Sequence, residues 1–242
     1  MLRQYHKWHS QALQKDMELL VFGHAGARVL VFPTSGGRFF DWENRAMTGA
    51  LSTHLENGWI QLYCLDSQDD ESWFNYQISP DERAIRQLKY QDYVIQEVLP
   101  FTLSLNNNPF TITTGASFGA YHALAIALRF PSSFHRAIGM SGVYDVREWT
   151  GGYMDDIIRQ TSPCEFIAHL HDAQKIEDIR KIDLIVAVGR DDPLFGNNKW
   201  FSDLLWEKGI WHAFRIWDGD AHDWPFWLDM IQHYIGGPDS KG

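Results

Sequence analysis

The chain has 242 residues, of which 45% are hydrophobic and 21% are charged, and its formal net charge is −10. This length and composition are typical of a globular protein with one ordinary α/β domain or two small ones. The negative charge argues against a nucleic-acid backbone or an anionic membrane surface as a partner.

Cys64 and Cys164 are the only cysteines, so a disulfide scaffold is not indicated. Cys64 lies in an apolar run, which favours a buried free thiol, although one disulfide stays open. The polar start of the chain lacks the apolar segment of a signal peptide, and no apolar run approaches membrane-spanning length. We therefore expect a cytoplasmic protein. Composition predicts no oligomeric state, and a homo-oligomer stays open.

Strand-like and helix-like segments alternate along the whole chain. The predicted strands are 18–22, 28–32, 59–65, 110–113, 137–140, 184–188 and 213–217. The predicted helices are 43–56, 80–99, 118–130, 163–170, 197–207 and 224–234.

This alternation, without a linker or a repeat, predicts a single α/β domain over residues 1–242. The glycine-containing loop 23–26 predicts a hairpin between the first two strands. Near-continuous Val/Ile/Leu runs in the later strands predict a parallel sheet covered on both faces. Segment 143–162 has weak periodicity and is predicted to be a lid over a site.

Residues 115–119, Gly-Ala-Ser-Phe-Gly, lie between a β-branched strand segment and an Ala/Leu-rich helical segment. A strand, a sharp turn and a helix form the context that a serine nucleophile needs. Glycines two residues before and two after Ser117 relieve the close contacts of such a turn. We predict Ser117 as a nucleophile in a nucleophile elbow; the alternative is a glycine-rich turn with a bystander serine.

A serine nucleophile needs a histidine base and an acid that orients it. The loop after strand 184–188 carries Asp191 and Asp192, which both qualify by position, and Asp145 is a weaker alternative. The alternative is an ordinary turn, in which an aspartate before proline is favoured for local hydrogen bonding alone. His222 follows the last strand and precedes the last helix, and it is the only one of 11 histidines so placed. We predict His222 as the base.

Two backbone amides are expected to form an oxyanion hole. One belongs to Phe118, the residue after the nucleophile, and the second to the loop after an early strand, where Gly36 and Gly37 let amides approach a developing charge. An ordinary β-turn is the alternative. A phosphate-binding interpretation fails because no P-loop lysine or G-x-G-x-x-G pattern is present.

No metal or cofactor is predicted. Two histidine pairs lie close in sequence, but one is spaced i, i+2 on a helix and the other lacks an acidic or cysteine partner: His169 with His171, and His6 with His9. His54 and His122 lie in helical patterns and are expected to pack or to lie at the surface. The acidic run 69–71 is predicted to be a solvated loop.

Six stretches together resemble the esterase D branch of the α/β-hydrolases, whose relatives include S-formylglutathione hydrolases, feruloyl and related carbohydrate esterases, and mycolyltransferases. The stretches are 35–38, 97–100, 115–119, 141–142, 189–193 and 222–227. The resemblance spans nearly the whole chain. It implies a mostly parallel central sheet with an antiparallel N-terminal start, helices on both faces and a minimal cap.

The resemblance also implies that Asp192, three residues after a strand-end glycine, is the acid rather than Asp191. It implies Gly37 as the second oxyanion donor. The chain departs from formylglutathione hydrolases in lacking their cysteine-containing pattern after the early strand, which argues against glutathione thioesters. The absence of a secretion signal argues against polysaccharide esters and mycolyl transfer.

We therefore expect a serine carboxylester hydrolase that acts on small or short-acyl esters through Ser117, His222, Asp192 and an acyl-enzyme intermediate. An acyltransferase of the same fold is one alternative. A catalytically silent binding protein is another, although such proteins usually lack one residue of the triad. The expected partner is a small-molecule ester.

Aromatic residues are abundant in the predicted loops. Core packing is the simpler interpretation of these residues, and an aromatic acyl pocket is the alternative. The substrate-binding candidates are Trp42, Trp73, Trp149 and Trp224, with Phe74, Tyr76 and Tyr153 beside them.

Overall fold

An eight-stranded sheet with helices on both faces organises the computed structural model, which describes residues 1–237. The strands are β1 Arg3–Ser10, β2 Lys15–Phe22, β3 Ala27–Phe32, β4 Ile60–Leu65, β5 Thr111–Ala116, β6 Arg136–Met140, β7 Asp183–Gly189 and β8 Ala213–Trp217. The helices are α1 Asp41–Asn44, α2 Met47–Ala50, α3 Ser52–Glu56, α4 Pro80–Tyr93, α5 Leu99–Leu105, α6 Phe118–Arg129, α7 Asp156–Thr161, α8 Pro163–Ala168, α9 Ala173–Ile179, α10 Phe195–Glu207 and α11 Trp224–Tyr234.

The strands lie in the order β1-β2-β4-β3-β5-β6-β7-β8. Strand β2 pairs antiparallel with β1 and β4, and every pairing from β4 to β8 is parallel. Successive side chains of a strand point to opposite faces, so Leu19 and Val21 enter one apolar core and Leu20 and Phe22 enter the other. The mostly parallel sheet with an antiparallel start is therefore confirmed.

The predicted hairpin between segments 18–22 and 28–32 is wrong. Strand β4 lies between β2 and β3, and Leu20 pairs with Cys64 rather than with a residue of β3. Strand β3 is buried at nearly every position and pairs with parallel neighbours on both sides. Loop 23–26 therefore crosses the N-terminal end of β4. The hairpin at the start of the chain joins β1 to β2.

Strand β1, at the edge of the sheet, was not predicted. Its sequence is polar, and its residues alternate between exposed and half-buried positions. Such a strand carries little hydrophobic signal because only one of its faces is covered. Helices α7 and α9 were also not predicted.

Two predicted helices differ from the structure by more than a residue or two at their ends. Segment 43–56 is divided among α1, α2 and α3. Ala46 adopts a left-handed conformation with φ 62°, which separates α1 from α2. The long helix does not end at Leu99: a π-helical segment, Val94–Val98, joins α4 to α5. Pro100 lies in the first turn of α5, where a missing N–H is tolerated.

Segment 143–162 packs against the start of α6. Val146 and Ile158 are fully buried in a third apolar cluster with Trp73, Phe118 and Tyr121. The segment thus forms a packed wall beside the N-terminal end of α6, with α7 inside it.

Both cysteines are free and buried, so the disulfide that the sequence left open is not formed. Burial raises the pKa of the Cys64 and Cys164 thiols, which keeps them protonated and poorly reactive. No helix within residues 1–237 is both long and apolar enough to cross a membrane.

Two glycines test how much the fold depends on the close approach of β3 to β4. Gly26 and Gly152 both adopt left-handed backbone, with φ 91° and 84°. A Cβ at Gly26 would lie 2.1 Å from the Trp59 carbonyl carbon, whereas at Gly152 no atom of the described chain lies within 4 Å. Both alanine variants carry backbone strain, but only Gly26→Ala must also push the loop before β3 away from the turn before β4.

We expect Gly152→Ala to lower the free energy of unfolding by about 1–2 kcal/mol. We expect Gly26→Ala to lower it by more than about 4 kcal/mol. Urea unfolding followed by circular dichroism measures both values. Equal losses for the two variants would contradict the role of Gly26.

Candidate active site

Ser117 stands at the turn between β5 and α6, with φ 53° and ψ −119°. This is a strained backbone for a residue with a Cβ, and such strain persists only where the surroundings enforce it. Two contacts enforce it here. The Ser117 amide donates to the Met140 carbonyl at 2.8 Å, and its carbonyl accepts the Ala120 amide of α6 at 3.1 Å.

The glycines of the turn are required by close packing. A Cβ at Gly115 would lie 2.3 Å from the Gly119 carbonyl carbon, and a Cβ at Gly119 would lie 2.4 Å from the Phe32 carbonyl oxygen. Real Cβ atoms do not approach backbone this closely. Only glycine at both positions therefore lets the chain turn around Ser117 while α6 packs on the end of β3.

Asp192 follows β7 and is buried, with a side chain 0% exposed. One carboxylate oxygen accepts the Leu194 amide at 2.8 Å, and the other lies 2.9 Å from His222 Nδ1. The neighbouring Asp191 is exposed, and Asp145 pairs with Arg147. Of the three candidate acids, the structure brings Asp192 alone to His222.

His222 lies between Asp192 and Ser117. Its Nε2 lies 3.2 Å from Ser117 Oγ, on the side of the ring opposite Asp192. The hydrogen bond to Asp192 raises the pKa of His222 above its ordinary value, and it outweighs burial, which acts in the opposite direction. With Nδ1–H donated to Asp192, Nε2 is free to accept the serine proton.

The loop that carries His222 is held by contacts that its sequence does not indicate. Ser141 and Ala221 both adopt left-handed backbone, and Ser141 Oγ donates to the Ala221 carbonyl at 3.2 Å. The Trp227 indole donates to Ser141 Oγ at 3.2 Å, and its ring meets the His222 ring edge-on at 5.4 Å. A Cβ at Gly189 would lie 1.8 Å from the Asp220 carbonyl oxygen, so glycine lets this loop approach β7.

The Phe118 amide belongs to the first turn of α6, where backbone N–H groups have no acceptor within the helix. The positive end of the helix dipole lies at the same place. Gly37 was predicted to be the second oxyanion donor, but its amide donates to the Thr34 carbonyl at 2.8 Å. The structure therefore contradicts Gly37 as a free second donor, because the turn already uses that N–H.

The acidic run 69–71 is not a solvated loop throughout. Asp70 and Glu71 are exposed, but Asp69 is 1% exposed and its carboxylate accepts the Gly36 amide at 2.9 Å. Its other oxygen faces Nε2 of the buried His122 at 3.1 Å. The sequence carried no local signal for these contacts, because an aspartate in an acidic run is usually solvated.

The aromatic candidates divide by burial. Trp42 and Trp73 are fully buried, so their prediction as substrate-binding residues is wrong. Trp149 is half-buried, and its ring centroid lies 5.0 Å from that of Phe118. Phe74 is also half-buried and packs on Phe118 at 4.8 Å.

The remaining aromatic candidates lie on the outside of the site. Trp224 packs on Trp227 and under the Arg45 guanidinium, so it supports the start of α11, the helix that follows His222. Tyr76 and Tyr153 are 65% and 52% exposed. Phe74 and Trp149 are therefore the candidates that are half-buried and pack on Phe118, the residue after Ser117.

Solved structures share this fold over nearly the whole chain. A ferulic acid esterase aligns with a TM-score of 0.78 at 16% identity, covering 97% of this chain and 96% of that one. The fluorophosphonate-binding serine hydrolase F of Staphylococcus aureus, solved with substrate bound, aligns with a TM-score of 0.72 at 17% identity, covering 97% and 96%. An S-formylglutathione hydrolase from Agrobacterium tumefaciens gives 0.73 at 14% identity, covering 96% and 92%.

These alignments confirm the α/β-hydrolase fold predicted from the sequence. No curated protein matches the sequence at a significant level. The family model described as putative esterase matches residues 66–225, which include Ser117, Asp192 and His222. Because the match covers well over half of the chain, this protein belongs to the putative esterase family.

Proposed function

We propose that this protein is a serine carboxylester hydrolase in which Ser117 is the nucleophile, His222 the base and Asp192 the orienting acid. One observation carries the proposal: a single imidazole joins Ser117 Oγ at 3.2 Å to the buried Asp192 carboxylate at 2.9 Å. This is the order of contacts that activates a serine hydroxyl. Membership of the putative esterase family supports the ester as the substrate class.

In the first half of the reaction, His222 Nε2 takes the Ser117 proton as Oγ forms a bond to the ester carbonyl carbon. Asp192 holds the imidazole in the required tautomer and stabilises the imidazolium. The carbonyl oxygen gains charge next to the Phe118 amide and the N-terminus of α6, which stabilise it. His222 then gives its proton to the leaving alcohol, and the acyl group stays on Ser117.

In the second half, His222 removes a proton from water, which attacks the acyl-enzyme, and the proton returns to Ser117 Oγ as the acid leaves. Water can reach this point: His222 is 26% exposed and Ser117 is half-buried. This access favours hydrolysis over transfer of the acyl group to another alcohol. The intact set of three residues argues against a silent binding protein.

Small or short-acyl esters fit the surroundings of the serine best. The rings of Phe74 and Trp149 both pack directly on Phe118, the residue after Ser117. Behind them, Trp73 and Tyr121 fill the same cluster without exposure. This packed aromatic cluster around the residue that follows Ser117 supports a small acyl group in the substrate.

An active-site label tests the nucleophile. A fluorophosphonate probe should label the wild-type protein on Ser117 and should not label Ser117→Ala. The substitution should lower kcat for p-nitrophenyl acetate by about 10⁵- to 10⁶-fold. Ser104→Ala, which removes an exposed hydroxyl on α5, is the matched control and should label like the wild type. An unlabelled wild-type protein would refute the proposed function.

The pH dependence tests the partnership of His222 with Asp192. The base must be neutral, so kcat/KM should rise with pH through the His222 pKa, which lies above the ordinary value of about 6.5. Asp192→Asn removes the main cause of the raised pKa. We expect its acidic limb at lower pH and its plateau about 10⁴-fold lower.

Asp191→Asn is the matched control for this profile, because it removes the exposed carboxylate next to Asp192. Its limb and its plateau should match those of the wild type. An acidic limb that stays in place in Asp192→Asn, or that moves in Asp191→Asn, would assign the orienting acid elsewhere.

Chain-length selectivity tests the size of the site. Among p-nitrophenyl esters, kcat/KM should be highest for the acetate and should fall steadily towards the octanoate. Phe74→Ala opens space beside Phe118, so it should raise kcat/KM for the hexanoate relative to the acetate by about 10-fold or more, the effect of a few buried methylenes. A wild-type maximum at the octanoate would contradict the short-acyl assignment.

A further inference from the structure

A fully buried His–Asp contact lies beside the elbow, and the proposed mechanism does not use it. Asp69 and His122 are 1% and 2% exposed, and Asp69 Oδ1 lies 3.1 Å from His122 Nε2. The pair is sealed from solvent and has no nucleophile within it. Its position suggests a role in holding the site rather than in reacting with the ester.

Asp69 connects three segments that surround Phe118. Its second carboxylate oxygen accepts the amide of Gly36, in the loop that follows β3. Its backbone carbonyl accepts the amide of Phe74, whose ring packs on Phe118. Its contact with His122 reaches α6, the helix whose first residue is Phe118. One buried carboxylate therefore ties together the loop after β3, the segment of Phe74 and α6.

His122 transmits this connection to the elbow. Its ring meets the Phe118 ring edge-on, with centroids 4.7 Å apart, and stacks on Phe32 at 5.8 Å. Gln87 Nε2 of α4 lies 3.1 Å from His122 Nδ1. With the Gln87 amide donating to Nδ1, the ring proton sits on Nε2 and is donated to Asp69.

We propose that Asp69 and His122 are positioning residues for ester hydrolysis: they fix the loop after β3 against α6 and so hold the Phe118 amide where the oxyanion forms. The inference rests on the proposed function. Backbone donors stabilise a transition state only when they are aimed in advance. A displacement of about 1 Å can cost about 100-fold in rate.

Asp69→Asn is the direct test. Asparagine keeps the shape, but it is neutral and its amide nitrogen cannot accept a hydrogen bond from the His122 ring or from the Gly36 amide, so one of the two contacts is lost. For p-nitrophenyl acetate, we expect kcat per active site to fall about 10- to 100-fold with KM nearly unchanged. Affinity for a methyl trifluoromethyl ketone, which forms an oxyanion with a serine, should fall by the same factor.

Active sites are counted by titration to completion with the fluorophosphonate, so that a smaller folded fraction does not imitate the effect. Asp70→Asn, the exposed neighbour in the same run, is the matched control and should match the wild type. A purely structural role for Asp69 would lower the melting temperature but would leave kcat per active site and ketone affinity intact. Values within twofold of the wild type would overturn the proposal.

His122 provides a second test if Asp69→Asn does not fold. His122→Phe keeps a ring but removes the donor to Asp69, and His122→Gln keeps a side-chain N–H. We expect the phenylalanine variant to lose kcat like Asp69→Asn and the glutamine variant to regain most of it. Equal kcat in the two variants would overturn the proposal. A wild-type protein that the fluorophosphonate does not label would instead refute the proposed function itself.

Discussion

The contact on which the site depends is the approach of α6 to the end of β3 at Gly119. A side chain on Gly119 would strike the carbonyls of Phe32 and Pro33, and one on Gly115 would strike Gly119. Because both positions are glycine, the helix can start directly against the sheet. Ser117 is then left in a strained conformation, which costs about 1–3 kcal/mol. The buried strands on either side stabilise the turn enough to maintain that strain.

The loops after β6, β7 and β8 also approach one another closely, each through different contacts. A Cβ at Gly189 would strike the Asp220 carbonyl, and the Asp191 amide donates to the Gly219 carbonyl at 2.9 Å, so the loop that carries His222 lies against the loop that carries Asp192. Ser141 accepts the Trp227 indole and donates to the Ala221 carbonyl. The backbone of two neighbouring loops therefore positions His222 independently of its contact with Ser117.

The loop after β3 is held at Gly36 by a buried carboxylate. Asp69 accepts from the Gly36 amide and faces His122 on α6. Burying a charge is costly unless hydrogen-bond donors surround it, and here the donors come from two different segments. The arrangement links the loop after β3 and the segment of Phe74 to the helix that begins at Phe118.

Local patterns in the sequence determined the mostly parallel sheet, the elbow around Ser117 and the position of His222, because strand runs, turn glycines and the order of loops are properties of neighbouring residues. The tertiary structure decided what depends on distant contacts. Burial separated Asp192 from Asp191, and Trp42 and Trp73 from Trp149. The insertion of β4 replaced the predicted hairpin. Asp69 and His122 lie 53 residues apart, and Ser117 and His222 lie 105 apart, so their hydrogen bonds arise only when the sheet brings its strand ends together.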